Sequence, residues 1–221
     1  MTAANPVRPA AFGLAGAALM AIGSLVASPA GATGAEVWTK GLALLADAHE
    51  VRIMIGAALA PLGAALALAG CIAVFRLLRP AGRGVALVAA AGFAQFFVCL
   101  AAYEAGRPII GALHRVPELA PDASLIVDAT TYLNVHRALA GLGLFFGSMF
   151  YFFTVLFRDT LLPRLAVVAT PVIWVPLIRI TPLLPAGGGA FWFAFLDVVW
   201  IGVFAALFVW ARRAPAGPTE P

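Results

Sequence analysis

The sequence predicts an all-α polytopic membrane protein, a bundle of about six transmembrane helices with both termini in the cytoplasm. Three observations predict it. Hydrophobic residues make up 63% of the chain and charged residues only 11%, whereas a soluble domain carries about 25% charged residues. The apolar residues fall in long unbroken runs of the order needed to cross a bilayer, about 20 residues. They do not alternate as barrel strands do. Finally, arginines flank these runs rather than interrupt them.

Taken in order, the runs are 11–28, 53–75, 85–103, 138–157, 165–178 and 191–210. The first follows Arg8. Its end, Val26-Ala27-Ser28-Pro29-Ala30, has the small residues of a signal-peptide cleavage region, but the run is long for a signal peptide and is read as a span. The second is free of charge. The fourth is bounded by Arg137 and Arg158. The fifth is the shortest and holds Pro171 and Pro176, with Pro182 and Pro185 just beyond, so a kinked helix is expected. The sixth is interrupted by Asp197. Residues 1–213 read as one domain, and the Pro-rich tail 214–221 as disordered. Gly56/Ala60, Gly63/Ala67 and Gly143/Gly147 are small residues four apart, the spacing that lets helix backbones approach in lipid.

The net charge of +4 and the pI of about 9.7 would suggest an acidic partner in a soluble protein. Here the basic residues mark orientation. Arg8, Arg76, Arg79, Arg83, Arg158, Arg164, Arg212 and Arg213 fall on one side of a six-helix arrangement. Lys40, Arg52, Arg107, Arg115, Arg137 and Arg179 fall on the other. The first side also has the shorter connections, and the positive-inside rule makes it cytoplasmic. The expected partner is the lipid bilayer, with no role for nucleic acid. Cys71 and Cys99 lie inside spans and form no Cys-x-x-Cys motif.

Ionisable groups inside spans are costly and usually face a bundle interior or a cavity. They concentrate in the outer half. His49 and Arg52 begin the second helix, Glu104 and Arg107 end the third, His136 and Arg137 begin the fourth, and Arg179 ends the fifth. Asp197 lies within the sixth, between Trp192 and Trp200, with Arg179 the nearest cation along the chain. Glu104 and Arg107, three apart, can pair. Asp128, Tyr132 and His136, each four apart, would share one helix face and could orient a ligand or handle a proton.

Glu104, His136 and Asp197 are therefore the candidate catalytic residues. His49, Arg52, Arg107, Tyr132, Arg137, Arg179 and Trp192 are the candidate binding residues. No metal site is expected, because the histidines lack ligand spacing, and no cofactor is indicated. A Gly-x-Ser-x-Gly nucleophile setting and a phosphate-cradling glycine loop are both absent.

These residues leave three classes open. One is an intramembrane enzyme or binding protein for a lipid or other hydrophobic small molecule, with a one-sided outward-facing site. Another is a small transporter, which the polar-poor inner halves of the helices disfavour. The third is a membrane subunit whose polar layer only joins helices. The start of the second helix, Arg52-x-x-x-Gly56 followed by Pro61-Leu62, resembles a pattern in an uncharacterised family of small bacterial membrane proteins with about six helices. That resemblance implies a six-helix protein of a bacterial inner membrane and carries no function or oligomeric state.

Overall fold

The computed structural model describes residues 5–29, 31–116, 118, 123–183 and 188–213. Pro117, Pro121, Pro185 and the tail 214–221 lie outside the described residues, as do the side chains of Trp38, Pro182 and Trp192.

The described residues form helices and no strands. Four long helices are α1 (Val7–Ala27), α3 (Glu50–Leu78), α4 (Arg83–Leu113) and α5 (Ser124–Phe157), with the short α2 (Gly34–Lys40) between the first two. A four-residue α6 (Pro171–Trp174) precedes the last long helix, α7 (Gly188–Arg213). Five of these, α1, α3, α4, α5 and α7, are long and apolar enough to cross a membrane. Helices α3, α4 and α5 hold 29, 31 and 34 residues, so they outrun the apolar stretches. At 1.5 Å per residue they are roughly 44–51 Å long, against a hydrocarbon core of about 30 Å. The polar residues that flank the apolar runs continue the helix instead of ending it.

Neighbouring helices are antiparallel. Gly16 of α1 meets Gly63 and Ala67 of α3, and Gly23 meets Gly56 and Ala60. Gly92 of α4 likewise meets Gly143 and Gly147 of α5. At each crossing an added Cβ would come within 3.0 Å of opposing backbone, so only glycine permits the approach. Helix α7 runs against α1, with Phe204 over Gly13 and Asp197 beside Ser24. The start of α1 and the end of α7 therefore lie at the same end of the bundle. The arginine-rich 76–83 turn and the end of α5 join them there, because Arg158 Nη1 donates to Ala81 O (3.0 Å) and Leu161 N to Leu77 O (3.0 Å).

The expected helix over 165–178 is not a continuous helix. The chain must return from the basic end to the start of α7, and it does so in pieces. A 3₁₀ segment Arg164–Ala169 leads into α6, and a second 3₁₀ segment, Val175–Leu183, reaches α2 and α7 at the far end. Pro171 and Pro176 are the cause: each lacks an N–H and clashes with the carbonyl four residues back. Carbonyls left over by the break need partners away from water, and side chains supply them. Tyr151 Oη donates to Ala166 O (3.2 Å), Thr170 Oγ1 to Val167 O (2.6 Å) and Trp174 Nε1 to Val168 O (2.9 Å).

The core gathers on Trp200, fully buried, with Phe93 edge-on to it at 5.0 Å and Phe97 at 4.7 Å. At the far end, a 3₁₀ segment Gly41–Asp47 is pinned by Arg115, whose Nε donates to Ala46 O (3.0 Å) and whose Nη2 donates to the carbonyls of Leu45 and Ala48.

Candidate functional site

The buried charged residues described are Glu104, Arg107 and Asp197, and they lie together. Glu104 and Arg107 sit one turn apart on α4. Their side chains form an ion pair from Arg107 Nη1 to Glu104 Oε2, with Arg107 only 1% exposed. Asp197 on α7 is 4% exposed and accepts a 2.6 Å hydrogen bond at Oδ2 from Ser24 Oγ of α1. The charges of Glu104 and Arg107 both reach Asp197. Tyr103, buried beside the pair, feels Glu104, Arg107 and Arg137. Ser28 extends the polar seam along α1 by donating to Ser24 O (2.6 Å).

The antiparallel packing of α1 and α7 sets Ser24 opposite Asp197. Counting 1.5 Å per residue from each helix midpoint, Ser24, Glu104 and Asp197 lie about 10, 9 and 5 Å toward the far end. The buried polar residues of the other half, Ser148, Thr154 and Thr170, carry no charge. The polar layer is thus confined to one half of the bundle.

Of the residues expected from sequence, the structure brings together Glu104, Arg107 and Asp197, with Arg137 in electrostatic reach of Tyr103. The pairing of Glu104 with Arg107 follows from their spacing, yet the pair is buried between helices rather than placed at an interface. Arg179, the nearest cation to Asp197 along the chain, is not the partner found. Asp197 turns to Ser24 and α4, while Arg179 lies exposed in the 3₁₀ segment. The 3₁₀ segment that holds Arg179 does reach α7, but the Arg179 side chain is exposed there.

His136 also lies apart. Helix α5 begins at Ser124, so Asp128, Tyr132 and His136 do share a face, but that face points outward. Tyr132 is 60% exposed, the His136 ring packs against it at 4.4 Å, and His136 Nδ1 lies 2.9 Å from Tyr132 O. His49 is exposed at the N-cap of α3 and Arg52 is half-buried a turn later. Trp192 lies in α7, but its side chain falls outside the described residues. Among the described residues, no three His, Cys, Asp or Glu side chains converge to hold a metal ion.

Two participants went unnoticed in the sequence. Ser24 is a lone hydroxyl in an apolar run, and only its opposition to Asp197 gives it a role. Thr33 and Glu36 form a reciprocal capping box at α2: Thr33 N donates to Glu36 Oε2 (2.9 Å), and Glu36 N to Thr33 Oγ1 (3.2 Å). The Thr-x-x-Glu spacing is the signal for it.

Comparison with protein-family models, curated proteins and solved structures finds no match to this chain.

Proposed function

We propose that this is a multi-pass protein of a bacterial inner membrane that binds a lipid or other hydrophobic small molecule at a one-sided polar site. The site comprises Ser24, Glu104, Arg107 and Asp197 on α1, α4 and α7. The observation that carries this reading is the burial of two carboxylates and a guanidinium within helices long and apolar enough to cross a membrane. Well-packed apolar residues of similar volume would join the same helices as well or better, since buried ion pairs rarely add net stability. Ionisable groups kept in a span point instead to a polar task.

Several features favour binding over the other classes. His136 faces outward, so Glu104 and Asp197 are the remaining candidates for proton transfer. They lie beside a serine and an arginine rather than a histidine base, an arrangement suited to holding a ligand's polar group. The uncharged character of the buried polar residues in the other half disfavours a through-path for transport. The orientation is cytoplasmic at the basic end, where eight of the fourteen basic residues gather, and the broken 164–183 segment makes the sixth crossing. Both termini are then cytoplasmic and the site lies in the outer half.

A second reading has its own support. The cluster is closed as described, with Asp197 hydrogen-bonded and nearly inaccessible, as a latch between helices would be. One experiment separates the two. Purified protein is melted with amphiphiles of one chain length bearing an amine, a hydroxyl or a carboxylate. The binding reading expects at least one to raise the melting temperature of the wild type and to lose that effect in Asp197→Asn. No difference between wild type and variant, together with impaired melting when Ser24→Ala, Glu104→Leu, Arg107→Leu and Asp197→Leu are combined, would refute binding at this cluster and leave the latch.

A further inference from the structure

A second feature lies at the opposite, basic end of the bundle and is unrelated to the polar cluster. The lipid-facing side of α5 carries Phe146, Phe150, Phe153 and Phe157, spaced as one helical face. Together with Val85 at the start of α4 they line a groove of about 530 Å³, and Arg158 closes its end. Phe153 and Phe157 stack at 6.1 Å, making a flat wall. Many other apolar side chains of this protein are exposed, as lipid contact requires. This surface differs in being concave, aromatic and terminated by a cation.

We propose that the groove binds an acyl chain of an anionic phospholipid, with the lipid phosphate at Arg158. Length supports this occupant: Phe146 to Phe157 covers roughly 16 Å of helix, close to one leaflet of a hydrocarbon core about 30 Å thick. Arg158 then stands at the headgroup level. It donates from Nη1 to Ala81 O, which leaves other donors of its five for a phosphate. The field there is positive. Arg158 touches the turn that carries Arg79 and Arg83, and Arg164 follows in the chain, while the adjacent Asp159 is exposed and forms no ion pair among the described residues. Basic pockets between helices at this level suit anionic headgroups. A second copy of the chain is the competing occupant, but it would bring the same arginines against each other.

The test uses the full chain in mild detergent with equimolar phosphatidylglycerol and phosphatidylcholine of identical acyl chains, and reads retained lipid by native mass spectrometry. The wild type is expected to retain phosphatidylglycerol about fivefold over phosphatidylcholine, the factor one arginine contributes near an anionic surface. Arg158→Gln should remove the preference and Arg158→Lys restore it. Val85→Phe, which narrows the groove, should lower retention of both lipids. Equal retention of the two lipids by the wild type would overturn the proposal without reliance on any variant. So would an unchanged preference in Arg158→Gln, or a lipid-free dimer as the species observed.

Discussion

Replacing Gly16 by alanine would place a methyl carbon 2.5 Å from both Ala67 N and Gly63 O on the facing helix. Ordinary contact begins at 3.4 Å, so α1 and α3 would have to part by roughly 0.9 Å (3.4 minus 2.5), with the opposing atoms being backbone that cannot rotate away. The reciprocal change, Gly63→Ala, meets Gly16 O and Met20 N at 2.6 Å. Overpacking of this kind costs about 1–3 kcal/mol, and parting the helices also loosens the contacts on either side of the crossing. The assay is the unfolding midpoint in a detergent denaturation series. Gly141→Ala and Gly202→Ala are the controls, since an added Cβ meets nothing within 4 Å at either site. There alanine should leave stability unchanged or raise it by up to about 1 kcal/mol through helix propensity. The same substitution should therefore have opposite signs at the two kinds of position. Equal effects at Gly16 and Gly141 would refute the close-approach argument.

Other consequences concern the polar contacts. Arg107→Leu leaves the Glu104 carboxylate buried without its described partner and should cost about 3–5 kcal/mol, whereas Glu104→Leu with Arg107→Leu should recover most of that loss; the same denaturation series compares them. Tyr151→Phe removes the bond that holds Ala166 O in the broken segment and should cost about 1–3 kcal/mol, with faster amide exchange over residues 164–170. The Glu36 carboxylate is held below its ordinary value, first by the Thr33 N–H and then by the Thr33 hydroxyl. Its contribution to α2 is therefore present above the ordinary glutamate range and lost as pH falls through the lower folded value. Amide protection of residues 34–40 should fall on acidification in the wild type and be low at all pH in Glu36→Ala.

Much of the bundle is legible in the sequence because lipid imposes one simple demand, an apolar run of sufficient length. The small-residue pairs at Gly56, Gly63 and Gly143 were equally readable, since close approach has a fixed spacing along a helix. Helix ends were less so: Glu104, Arg107 and Asp128 look like boundaries to an apolar count, but Glu104 and Arg107 are good helix formers that extend α4, and Asp128 lies in the early turns of α5, where the helix dipole favours an acid. The proline content of 165–178 announced a kink, but not that the run would break into 3₁₀ pieces, which depends on distant partners such as Tyr151. The site divides the same way. Glu104 with Arg107 is local and was visible. Asp197 with Ser24 joins residues 173 apart in sequence, and no spacing rule reaches that far. His136 was misleading because the helix begins twelve residues before it, at Ser124, and its half-buried ring turns to Tyr132.

The contact between Ser24 and Asp197 joins the first and last helices and holds the buried cluster together. A double-mutant cycle with Ser24→Ala, Asp197→Ala and their combination measures it in the folded protein. If Ser24 and Asp197 meet as described, the two losses will not add, and the coupling will be about 1 kcal/mol or more. Additive losses would mean that the helices do not bring these side chains together, and the buried cluster would fall with them.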